Sequence, residues 1–269
     1  MVFILIDNLV VKILKKMSLF KSGNPVLKND KFQPNHLEGI MDPAQMMTVK
    51  GTMQKFGFML LLVLGASWYS WKEYTHGGDV TSLMGIGGIG GLILAFVMVF
   101  KKEWSPYLAP LYGLLEGLLV GSVSAIYSTA FAEKYPNIVL NAVGLTVMVA
   151  VAMYLLYNFK VIKPTQRFKS IIFSATLGIA LFYLLTWVMS MFGYNNFTFL
   201  HEGTPMGILF SVFVTALAAL NLIIDFEMIE TGAAEGAPKY MEWYGAFGLM
   251  VTIIWLYFEI LRLLSKLRK

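Results

Sequence analysis

The sequence predicts an all-α polytopic membrane protein with seven transmembrane helices, and three observations carry that expectation. Hydrophobic residues make up 57% of the 269 and charged residues only 14%, against about half and about a quarter in a soluble domain. So little charge cannot coat a globule of this size. The apolar excess also excludes a disordered chain, which needs low hydrophobicity and high charge. The mean hydropathy is +0.67, and the apolar residues gather in seven stretches close to the roughly 20 residues a helix needs to cross a bilayer.

The stretches run over residues 56–71, 80–100, 106–129, 136–159, 168–192, 205–229 and 240–264. The connections KKEWSP, AEKYP, NFKVIKPTQR, GYNNFTFLHEGTP and ETGAAEGAPK are short and carry proline, glycine and charge. Proline opens spans 3, 4 and 6, where the first-turn N–H would be unbonded anyway. The expected organisation is a polar segment over residues 1–55 and one membrane domain over 56–269. Residues 1–16 fit either an amphipathic segment lying on the bilayer or translated sequence upstream of a start at Met17; the second is preferred, because Asp7 interrupts the apolar run and no cleavage site follows.

Fifteen of the 21 Lys and Arg fall on the side where the chain enters span 1, called side A, and six on side B. The positive-inside bias places side A, with the N-terminus, in the cytoplasm. Anionic lipid and topology account for the net charge of +5, so the expected partner is the bilayer and nucleic acid is not needed.

The chain has no cysteine, which excludes disulfides, thiolate nucleophiles and Cys-built metal centres. Its three histidines, His36, His76 and His201, lack metal-ligand spacing. No stable metal site, cofactor or enzymatic activity is expected. Gly85, Gly87 and Gly90 match GxGxxG, but inside an apolar span the pattern means close helix packing, not dinucleotide binding. Gly113, Gly117, Gly121 and Ala125 recur every four residues and form a small-residue packing face on span 3. Tyr and Trp near span ends, among them Trp68, Trp71, Trp104, Trp243 and Tyr244, read as an interfacial belt. Asn196, Phe197 and Thr198 form a sequon by pattern, to which no function is assigned.

Of the 16 acids, three lie inside apolar spans: Glu116, Asp225 and Glu259. A charge at the bilayer centre costs about 2.5–3.5 kcal/mol even on insertion scales, so such groups face an interior and mark a pathway. With no Lys or Arg expected deep in any span, the three acids imply a shared proton or a cation. Glu227 and Glu230 lie toward side A and read as solvated. The competing reading is a protonated acid bonded to a neighbouring helix with no transport role.

The stretches NPVL (24–27), APLYGLLEGLLVGSVSAIY (109–127) and, most specifically, LAALNLIIDFEMIETGAAEGAPKYMEWYGAFGLMVTIIWLYFEILRLL (217–264) resemble the Bax inhibitor-1/YccA family. That family includes the transmembrane BAX-inhibitor-motif proteins. The chain looks most like a bacterial member with an extended N-terminus, over residues 24–268. The resemblance implies six helices packed around a central C-terminal one, a bacterial inner-membrane location, and a pH-sensitive calcium leak. It also implies a proton-controlled latch of two acids in the last two helices, which fall on Asp225 and Glu259. Two departures stand out: one latch acid is glutamate where the family uses aspartate, and their spacing is long. A direct pair requires span 7 to start near Tyr244. A start at Tyr240 makes Glu116 the better partner of Glu259 and brings Glu242 nearer Asp225, so Glu116 and Glu242 are further pore or cation-binding candidates. Calcium or another cation would be the permeant. A non-transporting regulator that binds a membrane protease or other membrane partner through the N-terminal segment is the alternative. An intramembrane aspartyl protease fits poorly, because Asp225 follows Ile224 and the other buried acids are glutamates.

Overall fold

The computed structural model describes residues 43–193 and 203–268. His36, His201, the Asn196 sequon, the NPVL stretch and residues 1–16 lie outside the described residues. By internal packing the chain divides after Gln45, and the transmembrane unit is Met46–Lys269. Before it, a single 3-10 turn at Pro43–Gln45 is described.

Seven helices follow: α1 (Val49–Thr75), α2 (Thr81–Phe100), α3 (Ser105–Ala130), α4 (Ile138–Asn158), α5 (Gln166–Met191), α6 (Pro205–Ala234) and α7 (Met241–Leu267). All seven are long and apolar enough to cross a membrane. The protein is therefore an all-α polytopic membrane protein.

Two boundaries differ from expectation. The first helix begins at Val49, earlier than hydropathy suggested. Lys50 and Lys55 interrupt the apolar run, but Lys55 is ion-paired with Glu242 and the helix continues through it. Pro106 and Pro205 do open helices. Pro136 does not: α4 starts at Ile138, whose N–H donates to Tyr135 O at 3.1 Å in the preceding turn. Thr48, Thr165 and Thr204 cap α1, α5 and α6, each accepting a backbone N–H with its hydroxyl at 2.9, 3.2 and 3.2 Å. Each such cap typically contributes about 1 kcal/mol.

The α6–α7 connection sets the site. Gly236 has φ +70, a left-handed conformation that a Cβ would disfavour by about 1–2 kcal/mol. Met47 N–H donates to Ala237 O at 2.6 Å, tying the approach to α1 onto this turn.

The last helix is the hub. It packs directly on α1, α3, α4 and α6. Met98 of α2 joins Ala246, Phe247 and Met250 of α7 in one core cluster. Ile172 and Ile179 of α5 join Val214 and Leu217 of α6 in another, with Trp255 of α7 against it. All six other helices thus share core with α7.

Glycines draw the outer helices in. A Cβ at Gly117 would come 2.6 Å from Val63 O and 2.7 Å from the Ala66 Cβ on α1. At Gly87 it would come 2.5 Å from Leu115 O on α3. Gly121 approaches α1 as closely, Gly113 faces it at ordinary contact distance, and Ser67 Oγ donates to Gly117 O at 2.9 Å across the contact. In lipid, close backbone approach of this kind replaces the hydrophobic driving force.

Candidate functional site

Four acids sit at distinct places in the bundle, and α7 carries two of them. Helical rise of about 1.5 Å per residue gives their depths. Glu242 is the second residue of α7, at side A. Thr252 and Glu259 follow at roughly 15 Å and 26 Å along the axis.

Glu242 is fully buried in a clamp of hydroxyl, amide and ammonium groups. Thr48 donates to its Oε1 from both N–H and Oγ1, at 2.9 and 2.8 Å. Lys239 lies 2.9 Å from Oε1, and Lys55 donates to Oε2. A Cβ at Gly51 would overlap this carboxylate, so glycine there is what lets Glu242 reach the start of α1. The arrangement locks the side A ends of α1 and α7 together.

Asp225 lies on α6, nine residues before its end at Ala234, hence about 14 Å in from side A. At that depth it faces Thr252, whose hydroxyl is buried and donates to Gly248 O at 3.3 Å. One oxygen of Asp225, Oδ2, is buried with no hydrogen-bond partner, alone in this respect among the described residues. Leaving a buried acceptor unfilled costs about 1–3 kcal/mol, and more if it is charged.

Glu116, on α3, is buried with Tyr112 as its hydrogen-bonding neighbour. It points at α2: a Cβ on Gly91 would come 2.6 Å from its Oε1. It therefore lies at mid-depth on a different flank from Asp225.

Glu259 is 1% exposed and well supplied with donors. Arg262 Nη1 lies 3.0 Å from both carboxylate oxygens. Tyr183 of α5 donates its hydroxyl to Oε1 at 3.2 Å, and Trp255 donates Nε1 at 3.2 Å. Arg262 also donates to the Tyr183 hydroxyl at 2.6 Å, with its guanidinium 5.1 Å from that ring centre. One turn further, Lys266 is buried and donates to Ser211 Oγ at 2.7 Å and Gly207 O at 3.0 Å on α6.

These positions correct several expectations. The direct pair of Asp225 and Glu259 is not formed, because α7 starts at Met241 and carries Glu259 about 10 Å past Thr252, the residue that meets Asp225. Glu116 does not meet Glu259, since it faces α2. Glu242 does not approach Asp225, since two lysines and Thr48 hold it at side A. No two of the four carboxyls are hydrogen-bonded to each other among the described residues. Basic side chains do lie inside a span: Arg262 neutralises Glu259, and Lys266 is only 3% exposed. Glu227 and Glu230 do stay solvent-accessible as expected, Glu230 exposed and Glu227 part-exposed, with the Tyr157 hydroxyl shared between them and Lys169 3.3 Å from Glu227. Trp243 and Tyr244 pack inward, under Lys55 and Lys102.

Sequence reasoning missed Thr252, Tyr183 and Arg262. The Glu259–Arg262 spacing of three residues on one helix face was a legible signal for an ion pair. Tyr183, 76 residues from Glu259, left none.

The arrangement separates two chemistries. Glu259 is a closed network with every acceptor engaged. Asp225 keeps an open acceptor between the last two helices, where a proton or a cation can be taken up. A search among curated proteins gave no match. The family model described as Bax inhibitor 1 like matches residues 24–269, the whole transmembrane unit, and the chain belongs to that family.

Proposed function

We propose that the chain is a pH-sensitive cation leak channel, with calcium as the permeant, in which Asp225 is the titrating gate group and no catalytic step occurs. The observation that carries this reading is the unpartnered, buried Oδ2 of Asp225, set between α6 and the central helix. A carboxyl oxygen buried without a donor of its own favours uptake of a proton or a cation. Exchange between those two states changes the charge against α7 and alters how α6 and α7 pack.

In this reading the gate is one acid facing a hydroxyl, Asp225 against Thr252, rather than two acids sharing a proton. Glu259 serves further along the same helix, as an ion pair with Arg262 that closes the side B half. Side A is cytoplasmic, from the lysine and arginine bias, and the membrane is the bacterial inner membrane.

The experiment is calcium uptake into proteoliposomes, against protein-free liposomes of the same lipid. Uptake above the protein-free background supports a conductor. A correctly folded protein that gives only background uptake at every pH contradicts it and leaves the non-transporting regulator as the reading.

A further inference from the structure

Two cavities lie end to end between α1 and α4. The side B cavity holds about 450 Å3, between Trp68 and Trp71 of α1 and Val143 and Val147 of α4. The side A cavity holds about 560 Å3, between Met53 of α1 and Tyr154 of α4. Both are floored by α7, and Ile253 lines both. The gap exists because α1 and α4 each pack on α7 without packing appreciably on each other.

The hydroxyl groups of the side B cavity are spoken for. Ser67 donates to Gly117 O at 2.9 Å and Thr146 to Ala142 O at 2.7 Å, while Ser124 and Tyr257 bond each other at 2.6 Å. A buried water needs two to four polar partners, and an apolar cavity without them stays dry and takes apolar guests. The rim supplies what the interior lacks. Trp68 is 67% exposed, and the Lys72 ammonium lies 5.5 Å from its ring centre. Indole and ammonium together, near the side B end of α1, are the groups that meet phospholipid headgroups. A partner helix about 10 Å across would need on the order of 1,000 Å3 to pass through one leaflet of about 15 Å, more than this cavity holds.

We propose that the groove between α1 and α4 is a phospholipid site: an acyl chain fills the side B cavity against α7, with the phosphate beside Lys72 and Trp68. The occupant touches Ile253 and Ile254, next to Thr252, so it contacts the turn of α7 that faces Asp225.

The test uses the full chain in nanodiscs of phosphatidylcholine doped with an analogue carrying a photoactivatable acyl chain, with adducts mapped by mass spectrometry. Ile253 and Ile254 are expected to be labelled several-fold more than Leu181 and Leu184, which stand exposed on the outer face of α5 at 55% and 53%. Val143→Trp, or the milder Val147→Phe if the first does not fold, fills the side B cavity and is expected to abolish labelling of Ile254, which lines that cavity and not the side A one. Equal labelling of α7 and α5 in the wild type overturns the proposal, as does undiminished labelling of Ile254 in a folded cavity-filling variant. Protomer-to-protomer cross-links from a photoreactive amino acid placed at Val143, with no lipid adducts in the groove, overturn it as well and assign the groove to a second copy.

Discussion

Arg262 lies one turn past Glu259 on α7, with Nη1 3.0 Å from both carboxylate oxygens. This pair, with Tyr183 over it, closes the side B half of the central helix. Removing one partner leaves the other buried. Arg262→Met is expected to destabilise by about 1–3 kcal/mol, less than the roughly 3–5 kcal/mol of a fully buried pair, because a third of the Arg262 side chain is exposed. The double variant with Glu259→Gln should lose less than the sum of the singles, read from thermal unfolding in detergent.

Gly117 and Gly144 make a controlled comparison. A Cβ at Gly117 runs into Val63 O and Ala66, while one at Gly144 meets nothing within 4 Å. Gly117→Val should cost about 1–3 kcal/mol through overpacking. Gly144→Ala should be neutral or stabilising by up to about 1 kcal/mol, since alanine favours a helix over glycine. Equal melting behaviour of the two variants would contradict the α1–α3 contact.

The Glu242 clamp should be visible in hydrogen exchange. The Thr48 N–H donates to Glu242 itself. In Glu242→Gln the amides of residues 47–52 should exchange faster, because two ammonium groups and a hydroxyl lose their shared carboxylate. Unchanged exchange there would show that the start of α1 is held by other contacts.

Asp79, outside the spans, accepts the Thr81 N–H at 2.8 Å. Hydrogen bonds from Thr81 hold its carboxyl below the usual 3.8. A depressed acid contributes its cap above the unfolded value and loses it as pH falls through the lowered one. Protection of the Thr81 amide should therefore persist at neutral pH and fall only in strong acid, and Asp79→Ala should abolish it at all pH.

Which parts of this were legible in the sequence depended on how local the cause was. Spans follow from about 20 consecutive residues, so all seven could be read. The four-residue spacing of Gly113, Gly117 and Gly121 marked a packing face, which lies on α1. The acid pairing was not legible. It depends on where α7 begins, and a shift of four residues between Tyr240 and Tyr244 moves Glu259 by about 6 Å and a full turn. Lys55 hid the start of α1, because its charge is cancelled by Glu242, 187 residues away. Arg262 read as part of a basic tail because its neighbours Lys266 and Arg268 are also basic, yet the helix carries it inside. Thr252 carries no charge and so drew no notice.

The central claim is that the Asp225 carboxyl, with its unpartnered Oδ2, confers pH dependence on a calcium leak. The most direct measurement is calcium uptake into proteoliposomes across a series of pH values for wild type and Asp225→Asn, with Gly144→Ala as a folded control. The account predicts uptake that changes with pH in the wild type and the control, and uptake that is flat with pH in Asp225→Asn. The same uptake with the same pH dependence in all three would contradict it.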